Sequence, residues 1–143
     1  MTAVPPPPAV TPPAPRADRD TAPFWDGVAR GELVIQRCED CHELRHPPGP
    51  MCPACRSLRW DTVTASGRGT IFSAIVPRYP ELPGFEYPYV VVLVALEEGP
   101  RLVANLRGAP PGDARIGAPV ELFLEDHDGF RLPQFRLVPE GSS

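Results

Sequence analysis

The sequence predicts a mainly β protein with a short N-terminal helix, a rubredoxin-like zinc ribbon and a five-stranded OB-fold barrel. Two Cys-x-x-Cys pairs predict the ribbon, and five short valine- and leucine-rich segments broken by Gly/Pro turns predict the barrel. We expect three regions: a disordered proline-rich arm over 1–19, the helix and ribbon over 20–66, and the barrel over 67–139.

The arm begins with MTAVPPPPAVTPPAP, which holds seven prolines and no charge. Such a stretch supplies few backbone donors and little apolar side chain to bury, so we expect it to be extended and disordered. It lacks the pattern of a secretory signal, and no later stretch approaches the roughly 20 apolar residues of a membrane span. We therefore expect a cytoplasmic protein without a membrane span.

The segment DTAPFWDGVARGEL predicts a short helix. Asp20 or Thr21 can cap its start, Pro23 suits its first turn, and Gly31 suits its end. One face of this helix is apolar; it carries Phe24, Trp25, Val28 and Ala29. A helix this short must rest that face on something. Two alternatives stay open: Phe24, Trp25 and Val28 pack on their own domain, or they dock on a partner subunit.

The ribbon is predicted by the cysteines, which form two pairs separated by ten residues: Cys38, Cys41, Cys52 and Cys55. Two such turns facing each other give a closed tetrahedral site, the pattern of structural zinc. Metal binding supplies about 10–16 kcal/mol to a segment too small to fold on its own core. The alternatives are a rubredoxin-like iron centre and a dithiol redox pair.

The three histidines are expected to be ordinary polar residues. His42 and His46 lie in the ribbon loop, where four thiolates already fill the site. His127 lies in the turn-like EDHDG and is expected to be exposed to solvent.

The barrel is predicted from strand patterns that leave no room for the crossover helices of a parallel sheet. The expected strands lie near 69–79, 89–97, 101–107, 119–125 and 130–138. An open two-layer sheet is the alternative. The loop 80–88, PELPGFEYP, presents Phe85 and Tyr87, which either line a ligand groove or cover the end of the barrel.

Charge and motifs argue against several functions. The net charge is −4, and all 14 basic residues are arginine. An acidic chain lacks the electrostatic footprint of a general nucleic-acid binder. The sequence has no Gly-x-Ser-x-Gly elbow and no phosphate-binding Gly-rich loop with lysine. We therefore expect a binding protein rather than an independent catalyst.

The ordered motifs add up to a resemblance. PFWDGVARGEL, the two cysteine pairs, W-x6-GRGTIFS, PYVVVLVALEEGPRLVANL and PVELFLE…LPQFRLVP follow one another over roughly 20–139. This order resembles the zinc-ribbon/OB-fold family that is associated with acyl-CoA metabolism and is also known as a domain of unknown function. The cysteine pairs alone occur in many ribbons, whereas their combination with GRGTIFS and the PY-valine strand is more specific.

The resemblance implies a non-catalytic accessory subunit of a thiolase-fold enzyme, such as an acyl-CoA acyltransferase or a lipid-transfer-protein-like aldolase that shortens steroid side chains. A MaoC-type hydratase is a further partner of some members. In this family the helix and ribbon dock on the thiolase-like dimer, and the barrel faces the CoA-ester channel. By position, the four cysteines match the metal ligands, Trp25 matches an aromatic helix position, and Arg68 lies in the turn after the ribbon.

An acyl-CoA ligand would need groups that meet its phosphates and its acyl chain. Forked arginine pairing suits phosphate, and the aromatic residues of the loop 80–88 can line a ligand groove. The predicted acyl-CoA contacts are therefore Arg68, Arg78, Phe85, Tyr87 and Arg107. Ordinary surface arginine is the alternative for each. Two other functions stay open: a stand-alone acyl-CoA-binding protein, and a single-stranded nucleic-acid module, which the four glutamates and three arginines of 69–107 disfavour.

Overall fold

A computed structural model of the chain describes Pro5 and residues 10–139. Its first part contains the helix α1 (Ala22–Ala29) and the strands β1 (Val34–Cys38), β2 (Leu44–Arg45) and β3 (Trp60–Thr64). Its second part contains β4 (Arg68–Ile75), β5 (Val90–Leu96), β6 (Arg101–Leu106), β7 (Pro119–His127) and β8 (Phe130–Leu137). The strands form a three-stranded sheet in the order β2-β1-β3 and a closed barrel in the order β4-β5-β6-β8-β7. The predicted fold class is confirmed, and the barrel is closed rather than an open sheet.

The proline-rich arm lies partly outside the described residues. Positions 10–19 contain no helix or strand, yet Pro12 is buried. A Cβ added at Gly84 would lie 3.1 Å from the Thr11 carbonyl oxygen and 3.3 Å from Pro13 Cδ. This part of the arm therefore lies against the loop 80–88. Across the described residues, no helix is long and apolar enough to cross a membrane.

The helix α1 has the predicted first-turn proline and ends at Ala29, two residues before Gly31, whose φ of 96° favours glycine. Thr21 lies at the N-cap position, but its side chain does not make the predicted capping hydrogen bond to the helix. Instead, the Asp18 amide donates to Thr21 Oγ1 at 2.9 Å, and the Thr21 amide donates to Asp18 Oδ1 at 2.8 Å. These two bonds fix the turn before the helix.

One side of α1 packs closely on β1. Phe24 and Val28 are buried, but Ala29, expected on the same face, is exposed. A Cβ at Gly27 would lie 2.4 Å from Val34 Cγ2, so no larger residue fits there without displacing the strand. Glycine at this position lets the helix backbone approach the ribbon sheet.

The ribbon sheet is built around β1, which pairs antiparallel with β3 from Val34↔Thr64 to Cys38↔Trp60. On its other edge β1 meets only the two residues of β2. Across the β1–β3 pair, the Arg37 guanidinium donates to both carboxylate oxygens of Asp61, at 2.8 and 2.7 Å. The sheet thus holds the first cysteine at the end of its central strand.

The barrel strands follow the predicted pattern with shifted ends. β4 ends at Ile75, two residues before Pro77, which has no amide hydrogen for a ladder. β7 continues to His127, beyond its predicted end. The core joins both parts of the chain; it contains Phe24, Val28, Leu33 and Ile35 together with Ile71, Val92, Val94, Leu102 and Phe135. Helix, ribbon and barrel therefore share one hydrophobic core.

Candidate metal centre and binding surfaces

The two cysteine turns have the same backbone geometry. In each turn, the amide four residues after the first cysteine donates to that cysteine's carbonyl: His42 to Cys38 at 3.0 Å, and Arg56 to Cys52 at 2.8 Å. Both donors lie in the left-handed region, at φ values of 65° and 67°. Non-glycine residues adopt this conformation at a cost, so its repetition shows that both turns are built to aim two thiols at one point.

The four sulfurs converge. All Sγ atoms lie within 4.8 Å of one another. Cys38 Sγ is 3.5 Å from Cys55 Sγ, and Cys41 Sγ is 3.6 Å from Cys52 Sγ. These separations are far longer than the roughly 2.05 Å of a disulfide. A tetrahedral zinc with Zn–S bonds of about 2.3 Å places its sulfurs about 3.8 Å apart, so the four cysteines fit a closed four-thiolate zinc site.

The thiol pKa values of Cys38 and Cys41 are shifted in opposite directions. The Cys41 amide, which donates toward Cys38 Sγ at 3.5 Å, is the largest factor that lowers the pKa of Cys38, to about 6. At Cys41 the Glu43 amide lowers the thiol pKa, but burial and the neighbouring cysteines raise it more, to about 12. The charge of Zn²⁺ would let all four ionise as thiolates.

The histidines of the ribbon do not join this cluster of potential ligands in the described part of the chain. The His46 ring lies against Phe24, with ring centroids 5.1 Å apart. Burial lowers the pKa of His46, so its imidazole is neutral at pH 7.

His127 is not exposed, which corrects the expectation for the EDHDG segment. Its side chain is 4% accessible, its ring stacks on Phe130, and its Nε2 lies 2.8 Å from Glu125 Oε1. The Glu125 side chain is only 1% accessible, and Arg107 Nε donates to its Oε2 at 2.8 Å. Burial would raise the pKa of Glu125, but the hydrogen bonds from Arg107 and His127 lower it below its ordinary value.

This buried cluster extends to two amides that sequence reasoning missed. Gln134 Nε2 donates to Glu125 Oε1 at 3.4 Å and to Asn105 Oδ1 at 3.3 Å, and Asn105 Nδ2 donates to the Val90 carbonyl at 3.1 Å. A signal was present for the carboxylate. Phe123, Glu125 and His127 alternate along β7, which places all three on the face of the buried phenylalanine.

A seam in the barrel opens a cavity. β6 and β8 pair only at Leu106↔Phe135 among the described residues. Pro133 lies two residues before Phe135, so its nitrogen faces the same neighbour, β6, but has no hydrogen to donate. The backbone N–H of Asn105 donates to the side-chain oxygen Oε1 of Gln134 at 2.7 Å instead of to a backbone carbonyl of β8. The two strands therefore separate beyond this point.

The resulting seam cavity has a volume of about 410 Å³ and lies where helix, ribbon and barrel meet. Its walls are aromatic and aliphatic, and include Phe24, Trp25, Phe85, Tyr89 and Leu132. Its polar lining consists of His46, Asn105 and Gln134. Protein cavities of about 300–1,000 Å³ with this balance commonly hold small molecules.

The barrel also carries apolar residues on its outside. The outer apolar face consists of Phe72, Ile75, Val91, Leu93 and Val103, on adjacent strands β4, β5 and β6. The inward residues of β5 already fill the core, so this second apolar side has no partner within the described residues. Val91 and Val103 also line the seam cavity, which makes the face and the cavity continuous. Apolar patches of this kind commonly mark interaction sites.

The residues predicted to contact acyl-CoA lie in four places. Phe85 lines the seam cavity, whereas Arg78 and Tyr87 line a separate small cleft. Arg68 pairs with Glu97 at 3.2 Å on the surface, and Arg107 is held by Glu125 in the buried cluster. The structure thus brings together only part of the predicted set.

The three residues predicted to dock on a partner are also divided. Phe24 and Val28 belong to the core of this chain. Trp25 is half-buried, with its ring edge-on to Phe24 at 5.0 Å, and it lines the seam cavity. Of the three, Trp25 is the one that is not buried, although Phe24 also contributes to the lining of the seam cavity.

Comparisons with known proteins agree with both halves of this structure. The family model described as the ChsH2 rubredoxin-like zinc ribbon domain matches residues 25–61, and that of the ChsH2 C-terminal OB-fold domain matches residues 62–124. A solved structure described as an Ltp2–ChsH2(DUF35) aldolase contains a chain with 50% identity and a TM-score of 0.82, covering 87% of this chain and 98% of that one. The chain belongs to the ChsH2/DUF35 family.

Two curated relatives show the range of this DUF35 family. The 3-oxo-4,17-pregnadiene-20-carboxyl-CoA hydratase alpha subunit of Mycobacterium tuberculosis is 50% identical over 118 residues, which are 82% of this chain and 38% of that protein. The benzoylsuccinyl-CoA thiolase subunit BbsA of Thauera aromatica is 31% identical over 105 residues, 71% of this chain and 72% of that subunit. The DUF35 chain described here spans about two fifths of the length of the hydratase subunit.

Proposed function

We propose that this DUF35 chain is a non-catalytic subunit that binds a thiolase-fold enzyme and helps to form that enzyme's acyl-CoA channel. Its similarity to a chain of an aldolase and to a thiolase subunit supports such a partner. The substrate we propose is a CoA thioester with a fused-ring acyl group, because the Mycobacterium relative is named for one. A MaoC-type hydratase is a further proposed partner, since that relative is a hydratase subunit.

One observation carries the proposal: the barrel has apolar residues on both sides of β4, β5 and β6. The inner side completes the core, and the outer apolar face includes Val103, whose side chain is 64% exposed. Arg101 covers part of this face, with its guanidinium 3.8 Å from the Phe72 ring centroid. Burial of such a face against another protein contributes about 25 cal/mol for each Å² of apolar surface removed from water.

The residues most suited to catalysis are already bound to one another, which supports a non-catalytic role. His127 and Glu125 are buried and share a hydrogen bond, and Arg107 neutralises the carboxylate. The cysteines converge on one metal site. A subunit of this kind can assist a thiolase-fold enzyme by closing its channel and excluding water from the thioester.

Docking through α1 would be difficult for two of the predicted residues. Phe24 and Val28 would have to leave the shared core, which costs about 1.5–3 kcal/mol for each side chain exposed. The outer apolar face needs no such rearrangement. We therefore place the partner against this face, and keep Trp25 as the helix residue at its edge.

Of the three predicted arginines, we propose that Arg78 meets the CoA phosphates. It is exposed, whereas Arg68 pairs with Glu97 and Arg107 with Glu125. The neighbouring Tyr87 hydroxyl accepts a hydrogen bond from the Leu82 amide at 2.9 Å, which steadies the loop. An exposed guanidinium can form forked hydrogen bonds with a phosphate.

Co-expression with a thiolase-fold enzyme tests the proposal. The two proteins should elute together in gel filtration, and Val103→Asp should prevent this because a carboxylate would be buried in the interface. Leu58→Asp is a matched control, since Leu58 is 70% exposed but lies on the ribbon. Separate elution of the unmodified proteins would contradict the proposal. Loss of assembly with Leu58→Asp alone would move the docking surface to the ribbon.

A further inference from the structure

The lining of the seam cavity contains no charged side chain. Apart from the neutral imidazole of His46, no titratable side chain except the Tyr89 phenol lines it. Burial is the largest factor that raises the pKa of Tyr89, so this hydroxyl is neutral as well. Transfer of a phosphate or carboxylate into such a site would cost several kcal/mol without a compensating cation. The cavity therefore selects uncharged groups.

Four aromatic rings line the cavity. Phe24 and Trp25 come from the helix, while Phe85 and Tyr89 come from the segment before β5 and stack on each other with centroids 5.4 Å apart. Aromatic rings at such a site bind other flat apolar groups with little loss of side-chain freedom.

The polar part of the cavity lining is fixed in position. The Gln134 and Asn105 amides lie there, and each is held by the buried cluster around Glu125. Since these amides cannot reorient freely, they offer a defined hydrogen-bonding end to a ligand that is otherwise apolar. A hydroxyl or ketone oxygen matches that end.

We propose that the seam cavity binds the uncharged, largely hydrocarbon acyl group of a CoA thioester, with a hydroxyl or ketone oxygen directed toward Asn105 and Gln134. The CoA part stays outside, because its phosphates have no cationic partner in the cavity. Val91 and Val103 belong both to the cavity and to the outer apolar face, so a partner bound there would cover the mouth. This inference rests on the proposed function for its ligand class, but the cavity can be tested without the partner.

Tryptophan fluorescence of the full chain provides the test. The chain has two tryptophans, and Trp60→Phe leaves Trp25, in the cavity wall, as the single reporter. Titration with progesterone or 1-octanol, two uncharged apolar probes of different shape, should change Trp25 emission with saturation, whereas free CoA should not. Saturation by neither apolar probe, or equal saturation by CoA, would overturn the inference.

Three variants locate the binding site. Phe85→Ala should weaken probe binding about tenfold, because an aromatic wall contributes about 1.4 kcal/mol. Leu82→Ala, on the same loop but outside the cavity lining, should leave the affinity unchanged. Ala104→Phe should abolish binding by filling the cavity, with circular dichroism as the check of folding. Equal effects of Phe85→Ala and Leu82→Ala would contradict the assignment.

The outcome separates the cavity from the docking proposal. A chain that assembles with a thiolase-fold enzyme but binds neither probe would remove the acyl cavity and leave the docking function. A chain that binds a probe at the cavity but never assembles would remove the docking function and support the cavity.

Discussion

The ribbon and the barrel are stabilised in different ways although they share one core. Between Cys38 and Trp60, the described buried residues are Cys38, Arg45 and Cys52. The barrel instead buries a continuous set of large aliphatic and aromatic side chains, with Phe135 and Val92 fully inaccessible. The distal ribbon therefore depends on a metal, whereas the barrel depends on packing.

The comparison also explains where each part can change shape. β1 and α1 belong to the shared core, so the ribbon is anchored at its base. Its two cysteine turns project beyond that core and have only the metal site and a few polar contacts, such as the ion pair of Arg59 with Asp40. Local opening is expected at the turns before it reaches the barrel.

The largest expected effect comes from removal of a metal ligand. Cys52→Ser should abolish zinc binding and with it a contribution of about 10 kcal/mol to ribbon structure. Amide hydrogen exchange should then increase over 38–60 but not over β5, and elemental analysis should show loss of zinc. Met51→Ala, at the exposed neighbouring position, is the control. Simultaneous unfolding of β5 would show that the two parts are not separable in this way.

A core substitution should give the opposite pattern. Phe135→Ala should lower the free energy of unfolding of the barrel by about 3–5 kcal/mol, because Phe135 is fully buried and leaves a cavity. Urea unfolding measures this loss, and zinc content should stay at one per folded chain. Phe72→Ala, on the exposed side of the same barrel, should change stability by less than about 1 kcal/mol, since it removes only a surface contact with the Arg101 guanidinium. A similar cost for both would contradict the packing argument.

The buried ion pair gives an intermediate, pH-dependent effect. Glu125→Gln should cost about 3 kcal/mol at pH 7, because Arg107 keeps its charge in a mostly buried site without a carboxylate. The folded-state pKa of Glu125 is lowered, so its contribution is complete above the ordinary glutamate pKa of about 4.3. It is lost as the pH falls through the folded-state pKa.

Urea unfolding at pH 7 and at pH 3 checks this sign. The difference between the native protein and Glu125→Gln should shrink at the lower pH. Glu121→Gln removes the carboxylate that pairs with Arg136. This carboxylate is more exposed than that of Glu125, so the change should cost less than about 1 kcal/mol at either pH. A difference for Glu125→Gln that grows toward pH 3 would contradict the assignment.

The smallest expected effect concerns the backbone of the cysteine turns. His42→Gly should raise the free energy of unfolding of the ribbon by about 0.5 kcal/mol, because glycine adopts a φ of 65° without strain. Resistance to zinc removal by a chelator measures the change. Arg56→Gly should behave in the same way, since the second turn repeats the first. A clear loss of zinc in either variant would show that the side chain, rather than the backbone, matters there.

The sequence by itself determined the parts of this protein that depend on local spacing. Four cysteines within one short segment define a closed metal site, because each pair needs only a single turn to converge. The five short valine- and leucine-rich segments broken by Gly/Pro turns likewise predicted the barrel, and the closed strand order confirms it. The strand ends were less accurate, since Pro77 stopped β4 early and β7 continued past its predicted turn.

Only the tertiary structure decided the environment of residues that meet across the fold. The EDHDG segment alone predicts an exposed turn, but β7 continues through His127, and its neighbour Glu125 is held by Arg107, a residue 18 positions away. The seam cavity needs β6 and β8 to lie side by side and Pro133 to interrupt their pairing. Such contacts join positions far apart in the chain, and local propensities carry no information about them.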